Sequence, residues 1–384
     1  MSTQSPFPSK LPEVGTTIFT VMSKMALDFN AINLSQGFPD FEISAELQNL
    51  VTDYMGKGHN QYAPMAGVPD LLNSISRKLK QTHNIEVDEK NEITITAGAT
   101  EALYATIAAI VKPGDEVLVI EPAYDAYVPA VRLNGGKPVL IPMDIPDFTI
   151  NWDRVAHHIT GRTKLIIINT PHNPTGTILE EDDLSALAGI VAKHGIYVLS
   201  DEVYEHIIFD GEVHQSVLKH PGLRERSIAV YSFGKTFHAT GWKIGYSVAP
   251  PSITREIRKV HQFLTFSVNT PIQYALATFL EDKKNYEGQD RFFQQKRDYF
   301  LEQMQTSRFV PVTSKGTYFQ LFSYKNYGNR PDREMAEWLT QEIGVASIPI
   351  SVFYQDKTDN HYLRFCFGKN DQTLKKGAEI LCRI

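Results

Sequence analysis

SIAVYSFGKTFHATGWKIGY (residues 227–246) joins a short apolar run to Ser232-Phe233-Gly234-Lys235 and brings a second lysine, Lys243, eight positions later. The run SIAVYS (227–232) reads as a strand apolar on both faces, the pattern of a sheet covered by helices. A lysine amine condenses with carbonyls, and Ser232 and Lys243 can bind a phosphate at the same place. The plainer alternative is a strand that ends in an exposed lysine, a common fate of that residue.

Four similar runs lie upstream: EITIT (92–96), DEVLVIE (115–121), KLIIIN (164–169) and IYVLSD (196–201). Helix-length segments separate several of them. ATEALYATIAAIV (99–111) is alanine-rich. LEEDDLSALAGIVAKHG (179–195) has acids in its first turn and Gly195 as its stop. Strands alternating with helices predict an α/β domain around a mostly parallel sheet. The C-terminal part differs, with a long helix over 291–305 and strands in GTYFQLF (316–322) and HYLRFCFG (361–368). We read it as a smaller α+β domain that also takes in the opening residues. This places a large domain at 40–280 and a small one at 1–39 plus 281–384.

Composition narrows the function. With 384 residues the chain can bury a large core, and 42% hydrophobic with 21% charged residues suits a globular enzyme. A net charge of −6 offers no basic field for nucleic acid or an anionic membrane. Cys366 and Cys382 argue against a disulfide framework and lack metal-ligand spacing. No apolar run approaches the ~20 residues that cross a bilayer, and MSTQSPFPSKLPEVG is unlike a signal peptide. The expectation is a cytoplasmic protein without metal, nucleic-acid or membrane partners.

Open α/β sheets bind ligands beyond the carboxyl ends of their strands, so the residues just past each strand are the informative ones. After EITIT come Gly98, Ala99 and Thr100 at a helix start, where free amides bind anions. After DEVLVIE comes Tyr124, able to stack on a planar ring. After KLIIIN comes Asn173 between two prolines, with an amide to donate. IYVLSD ends in Asp201, Glu202 follows it, and Tyr204 lies two residues beyond. A buried carboxylate needs a cation or a donor, and a protonated pyridine nitrogen is one. Each feature alone has a plainer reading as a turn or as core packing. Together they put a phosphate site, a stacking ring, ring-oxygen donors, an acid and an amine along one sheet edge. Pyridoxal 5′-phosphate carries the matching aldehyde, phosphate and ring.

These motifs resemble those of the class I/II aminotransferases of fold type I, pyridoxal-phosphate enzymes. The resemblance covers nearly the whole chain. It is carried by INLSQGFPDF (32–41), NQYAPMAGVPDL (60–71), TAGATEALYA (96–105), NTPHNPTGT (169–177), SDEVYEHIIF (200–209) and SFGKTFHATGWKIGY (232–246). HQFLTFSVNTPIQ (261–273) and GVASIPISVF (344–353) are similar to the bacterial methionine aminotransferases, in a branch shared with kynurenine/glutamine aminotransferases. The resemblance implies a large domain with a mostly parallel seven-stranded sheet between helices. It also implies transfer of an amino group to a 2-oxo acid by ping-pong exchange, from methionine and also from aromatic amino acids or glutamine. The alternative on the same site is a kynurenine aminotransferase or cysteine-S-conjugate β-lyase.

Residue by residue, the resemblance makes Lys235 the lysine that joins the cofactor aldehyde and moves the proton. Asp201 pairs with the ring nitrogen, Asn173 and Tyr204 with the phenolic oxygen, and Tyr124 stacks on the ring. Gly98, Ala99, Thr100, Ser232 and Lys243 hold the phosphate. Tyr62 reaches the phosphate of a neighbouring subunit, implying a homodimer with shared sites. Arg364, helped by Gly37 and Asn173, binds the substrate α-carboxylate. Many members carry arginine at the place of Lys243, which lacks the bidentate fork. No arginine suits a distal carboxylate, which argues against dicarboxylic donors. Phe19 and Phe266 are the apolar candidates for the substrate side chain.

Overall fold

A computed structural model describes residues 8–384; residues 1–7, assigned above to the small domain, lie outside the described residues. The centre is a seven-stranded sheet of β1 (Ile93–Thr96), β2 (Glu116–Glu121), β3 (Lys137–Pro142), β4 (Thr163–Asn169), β5 (Tyr197–Asp201), β6 (Ser227–Ser232) and β7 (Gly245–Val248). Its order is β1-β7-β6-β5-β4-β2-β3. Only β7 runs antiparallel to its neighbours. All five runs read from the sequence are strands of this sheet. The two that sequence patterning does not single out are β3 and β7. KPVLIP carries two prolines, and β3 takes the sheet edge, where a missing N–H costs least. GYSV is four residues long and comes directly after the lysine-bearing loop.

Helices cover both faces and split the core in two. One cluster gathers Ala102, Ala105 and Ile107 of the helix Gly98–Ile110 with Val117, Val119, Leu165 and Ile167. The other, on the opposite face of the same strands, includes Leu118, Ile166, Ile168, Leu184 and Leu187. The helix Glu181–His194 ends as its sequence implies. Glu180 and Asp183 form a capping box, three acids fill the first turn, and Gly195 closes it at φ 69°.

A second, four-stranded antiparallel sheet comprises β8 (Val310–Pro311), β9 (Phe319–Ser323), β10 (Ile348–Pro349) and β11 (Tyr362–Cys366), in the order β10-β11-β9-β8. The N-terminal segment joins this region through Ile32–Asn33, which pairs in parallel with Val345–Ala346. Among the described residues no helix is long and apolar enough to cross a membrane.

Register aligns the site. Thr96 and Ser232 both pair with Gly245, while Asp201 pairs with Asn169 and Val230. The residues that end β1, β4, β5 and β6 therefore share one sheet edge. Gly245 lets the helix Gly98–Ile110 start against that edge. A Cβ there would lie 2.6 Å from the Tyr231 carbonyl oxygen, 2.7 Å from the Ala99 nitrogen and 2.8 Å from the Gly98 carbonyl carbon. Gly245→Ala is expected to cost about 1–3 kcal/mol by overpacking, read from the urea midpoint. Gly161→Ala, where nothing lies within 4 Å, should stay within about 0.5 kcal/mol.

Candidate active site

A cavity of about 270 Å³ opens above that sheet edge. It brings together thirteen of the fifteen residues predicted from sequence: Phe19, Gly37, Gly98, Ala99, Thr100, Tyr124, Asn173, Asp201, Tyr204, Ser232, Lys235, Lys243 and Arg364. Among the described residues, no group of three or more His, Cys, Asp or Glu side chains is placed to hold a metal ion.

Lys235 sits on the single helical turn Phe233–Thr236 directly after β6. Its Nζ donates to Tyr318 Oη at 2.9 Å and to the Gly37 carbonyl at 3.2 Å. Tyr318 Oη also donates to that carbonyl, at 2.6 Å. Burial lowers the ammonium to about 8, and the Arg364 and Lys243 charges push the same way. An amine tuned so is readily neutral, as a nucleophile or base must be.

Asp201 ends β5 and is 5% exposed. Oδ2 accepts from Tyr127 Oη at 2.7 Å, and Oδ1 from the Val203 amide at 3.4 Å. Its carbonyl accepts from Asn169 Nδ2 at 2.7 Å and from the Thr170 amide at 3.0 Å. Burial raises the carboxyl from 3.8 to about 6, against the Tyr127 hydrogen bond. A cation in the cavity would reverse that shift.

The adjacent acid does something else. Glu202 Oε2 pairs with His214 Nε2 at 2.9 Å and accepts from Tyr231 Oη at 2.9 Å, outside the cavity. Glu205 pairs with the buried Lys78 at 2.5 Å and with His83 at 2.6 Å. Burial pushes both carboxyls up. The surrounding Lys78, His83 and His214 outweigh it, so both lie below the usual carboxylate range.

Arg364 on β11 is 1% exposed. NH1 donates to Asn173 Oδ1 at 2.8 Å and NH2 to the Ser35 carbonyl at 3.0 Å, while Nε has no partner among the described residues. Its guanidinium lies over Phe319 at 3.9 Å and near Phe19 and Phe353 at 5.3 and 5.5 Å. Burial lowers it to about 10. Its named partners are neutral oxygens, so this buried cation suits a carboxylate arriving in the cavity. The Arg364 bond also fixes the Asn173 amide, turning Oδ1 to the arginine and leaving Nδ2 to donate elsewhere.

The helix Gly98–Ile110 has no side-chain cap at its N-terminus. Lys243 Nζ lies 3.3 Å from where a Gly98 Cβ would stand, and Gly98 itself has φ 76°. A cation beside uncapped amides is an anion cradle. Tyr204 is buried and meets Tyr318 edge-on at 5.2 Å. Tyr124 meets Tyr127 at 5.7 Å and 75°.

Tyr62 and Phe266 are not in this cavity. They are 82% and 44% exposed and pack edge-on against each other at 5.4 Å. Asn169, Gln36, Phe38 and Phe319 also line the cavity, and Tyr127 and Tyr318 bond to residues that do, although the sequence alone does not single them out. Asn169 was visible as the polar last residue of a buried strand, and Tyr127 as a second tyrosine three residues after Tyr124. Phe319 opens β9 of the distant second sheet and Tyr318 stands just before it, and nothing local announces them.

The family model for aminotransferases of class I and II matches residues 30–381. A methionine aminotransferase of Escherichia coli is 50% identical over 98% of both chains. A kynurenine–oxoglutarate transaminase of Dictyostelium discoideum is 35% identical over 96% of this chain and 94% of its own. The crystal structure of YbdL from Escherichia coli, for which a methionine aminotransferase function was identified, superposes with a TM-score of 0.97 at 48% identity. It covers 99% of this chain and 100% of its own. The chain belongs to the class I and II aminotransferases.

Asp201 gives a test with a defined sign. Its raised affinity for a proton means that the fold bears a charge penalty that builds as pH rises from the ordinary carboxyl value of 3.8 and is complete above about 6. Below the unfolded-state value the penalty is gone. Asp201→Asn should therefore stabilise the ligand-free protein by about 2 kcal/mol at pH 8 and by little at pH 4, measured by urea unfolding at both.

Proposed function

We propose that this aminotransferase works with pyridoxal 5′-phosphate and takes its amino group from methionine, passing it to a 2-oxo acid. The observation that carries this reading is the buried Arg364 guanidinium, without a carboxylate partner among the described residues, in the same cavity as the Lys235 amine and the Asp201 carboxylate. The donor set fits the cofactor. Gly98, Ala99, Thr100, Ser232 and Lys243 would hold its phosphate, Asp201 its protonated ring nitrogen, Asn173 and Tyr204 its phenolic oxygen, and Tyr124 its ring face. When bound, the cofactor supplies an aldehyde for amine exchange and a ring that takes up electrons.

The protein's own part rests on three groups. Arg364 clamps the substrate α-carboxylate with its planar fork, which orients the Cα–H bond. Neutral Lys235 Nζ takes the Cα proton and later returns it, and its lowered proton affinity keeps that form populated near neutral pH. Tyr318 and the Gly37 carbonyl aim that amine.

Methionine is favoured by the 50% identical relative and by the lining. Lys235, Lys243 and Arg364 are the cationic groups in the cavity, while Phe19, Phe38 and Leu103 leave an apolar space suited to a thioether. Aromatic donors fit the same surface. The 35% identical kynurenine transaminase keeps kynurenine transamination, or β-elimination from cysteine conjugates, as the second reading. Tyr62 and Phe266, exposed together, support a homodimer in which Tyr62 completes the phosphate site of the other subunit. The two free cysteines suit a reducing cytoplasm.

Lys235→Ala should lower transamination by about 10³-fold or more, measured with methionine and a panel of 2-oxo acids. Ranking amino donors by kcat/KM should put methionine above aspartate and kynurenine. Pyruvate release from a cysteine conjugate without an oxo acid would favour the second reading instead. Sedimentation at dilute concentration should show a dimer, and a monomer at full activity would remove the role given to Tyr62.

A further inference from the structure

Tyr127 lines no part of the cavity yet touches two groups that do. It opens the helix Tyr127–Leu133, is 3% exposed, and donates from Oη to Asp201 Oδ2 at 2.7 Å. Its ring meets Tyr124, the proposed stacking residue, edge-on at 5.7 Å. We infer that Tyr127 is the positioning residue that keeps Asp201 ionised and aimed for the cofactor ring, an inference that rests on the function proposed above.

Asp201 is a carboxylate in dry surroundings. Among the described residues its Oδ1 has the long Val203 amide bond alone, and the phenol of Tyr127 is its one strong donor. A hydroxyl donating to a carboxylate stabilises the charged form. The other charged or titratable groups facing Asp201 come from four places. Lys235, just past β6, favours the anion, Glu202 is its chain neighbour and opposes it, and Tyr124 and Tyr204 flank it. Lys235 acts on Asp201 through space, its own hydrogen bonds going to Tyr318 and Gly37, so Tyr127 is the donor that stays on Asp201. Burial keeps the Tyr127 phenol protonated, well above the ordinary tyrosine range, so it stays a donor at every working pH. The bond to ionised Asp201 exists before and after the cofactor binds. It therefore cancels where Asp201 is already charged and matters where the pocket would otherwise take up a proton.

That cancellation separates positioning from mere support. The ratio of wild-type to Tyr127→Phe affinity for pyridoxal 5′-phosphate, measured by fluorescence titration of the cofactor-free dimer, is expected to depend on pH. Losing one charge-assisted hydrogen bond should raise the Asp201 midpoint by about one unit. The ratio should then be near one above pH 8 and approach tenfold below pH 6. In an Asp201→Asn background the same substitution should leave the ratio flat, because no carboxylate remains to titrate. A ratio that is constant with pH in the Asp201 protein, or one that varies equally in the Asp201→Asn background, overturns the inference for Tyr127. Failure of the wild-type protein to bind pyridoxal 5′-phosphate at any pH overturns the proposed function instead.

Discussion

The site is organised around a carboxylate held in a dry place. Asp201 closes the middle strand of the sheet, with its backbone tied to β4 by Asn169 and Thr170 and its side chain braced by Tyr127. A buried carboxylate without a cation is costly, and selection for stability alone would remove it. The surrounding groups make sense as the company of a ligand that brings a positive charge. Under the proposed function, Lys235, Arg364 and the uncapped helix start at Gly98 would each meet a different part of the same ligand pair.

Strand β5 and the turn after it sort their acids by direction. Asp201 and Tyr204 face the cavity, whereas Glu202 and Glu205 enter an ionic network with Lys78, His83 and His214 behind it. Breaking one partner of such a buried pair typically costs about 3–5 kcal/mol. The network therefore fixes the backbone that carries the two cavity residues. Precision at the site thus rests on groups that lie outside the cavity. The second sheet supplies Arg364 from β11 and Phe319 beneath it from β9, and the bend before β9 puts Tyr318 beside Lys235.

Much of this is legible in the sequence, because strand and helix periodicities differ and because ligand-binding groups come just after the strands. The runs at 92–96, 115–121, 164–169, 196–201 and 227–232 are the strands their patterning predicts. The family resemblance supplied the number of strands, but β3 and β7 have no clear local signal. One is proline-bearing at an edge and the other is four residues long. At Asp201-Glu202 the sequence shows two acids and cannot say which faces the ligand, since that depends on His214 arriving from twelve residues away. Tyr318 and Phe319 were hidden for the same reason. Contacts between distant segments have no local trace. Tyr62 and Phe266 lie together on the surface, where a second subunit rather than this chain would give them a role.

The proposed function requires Lys235 to be the amine that joins pyridoxal 5′-phosphate. The most direct measurement is borohydride reduction of the cofactor-loaded protein, then proteolysis and mass spectrometry of the modified peptide. One pyridoxyl adduct per chain is expected, on Lys235 and not on Lys243. An adduct on any other lysine, or none from a protein that carries the cofactor, would contradict it.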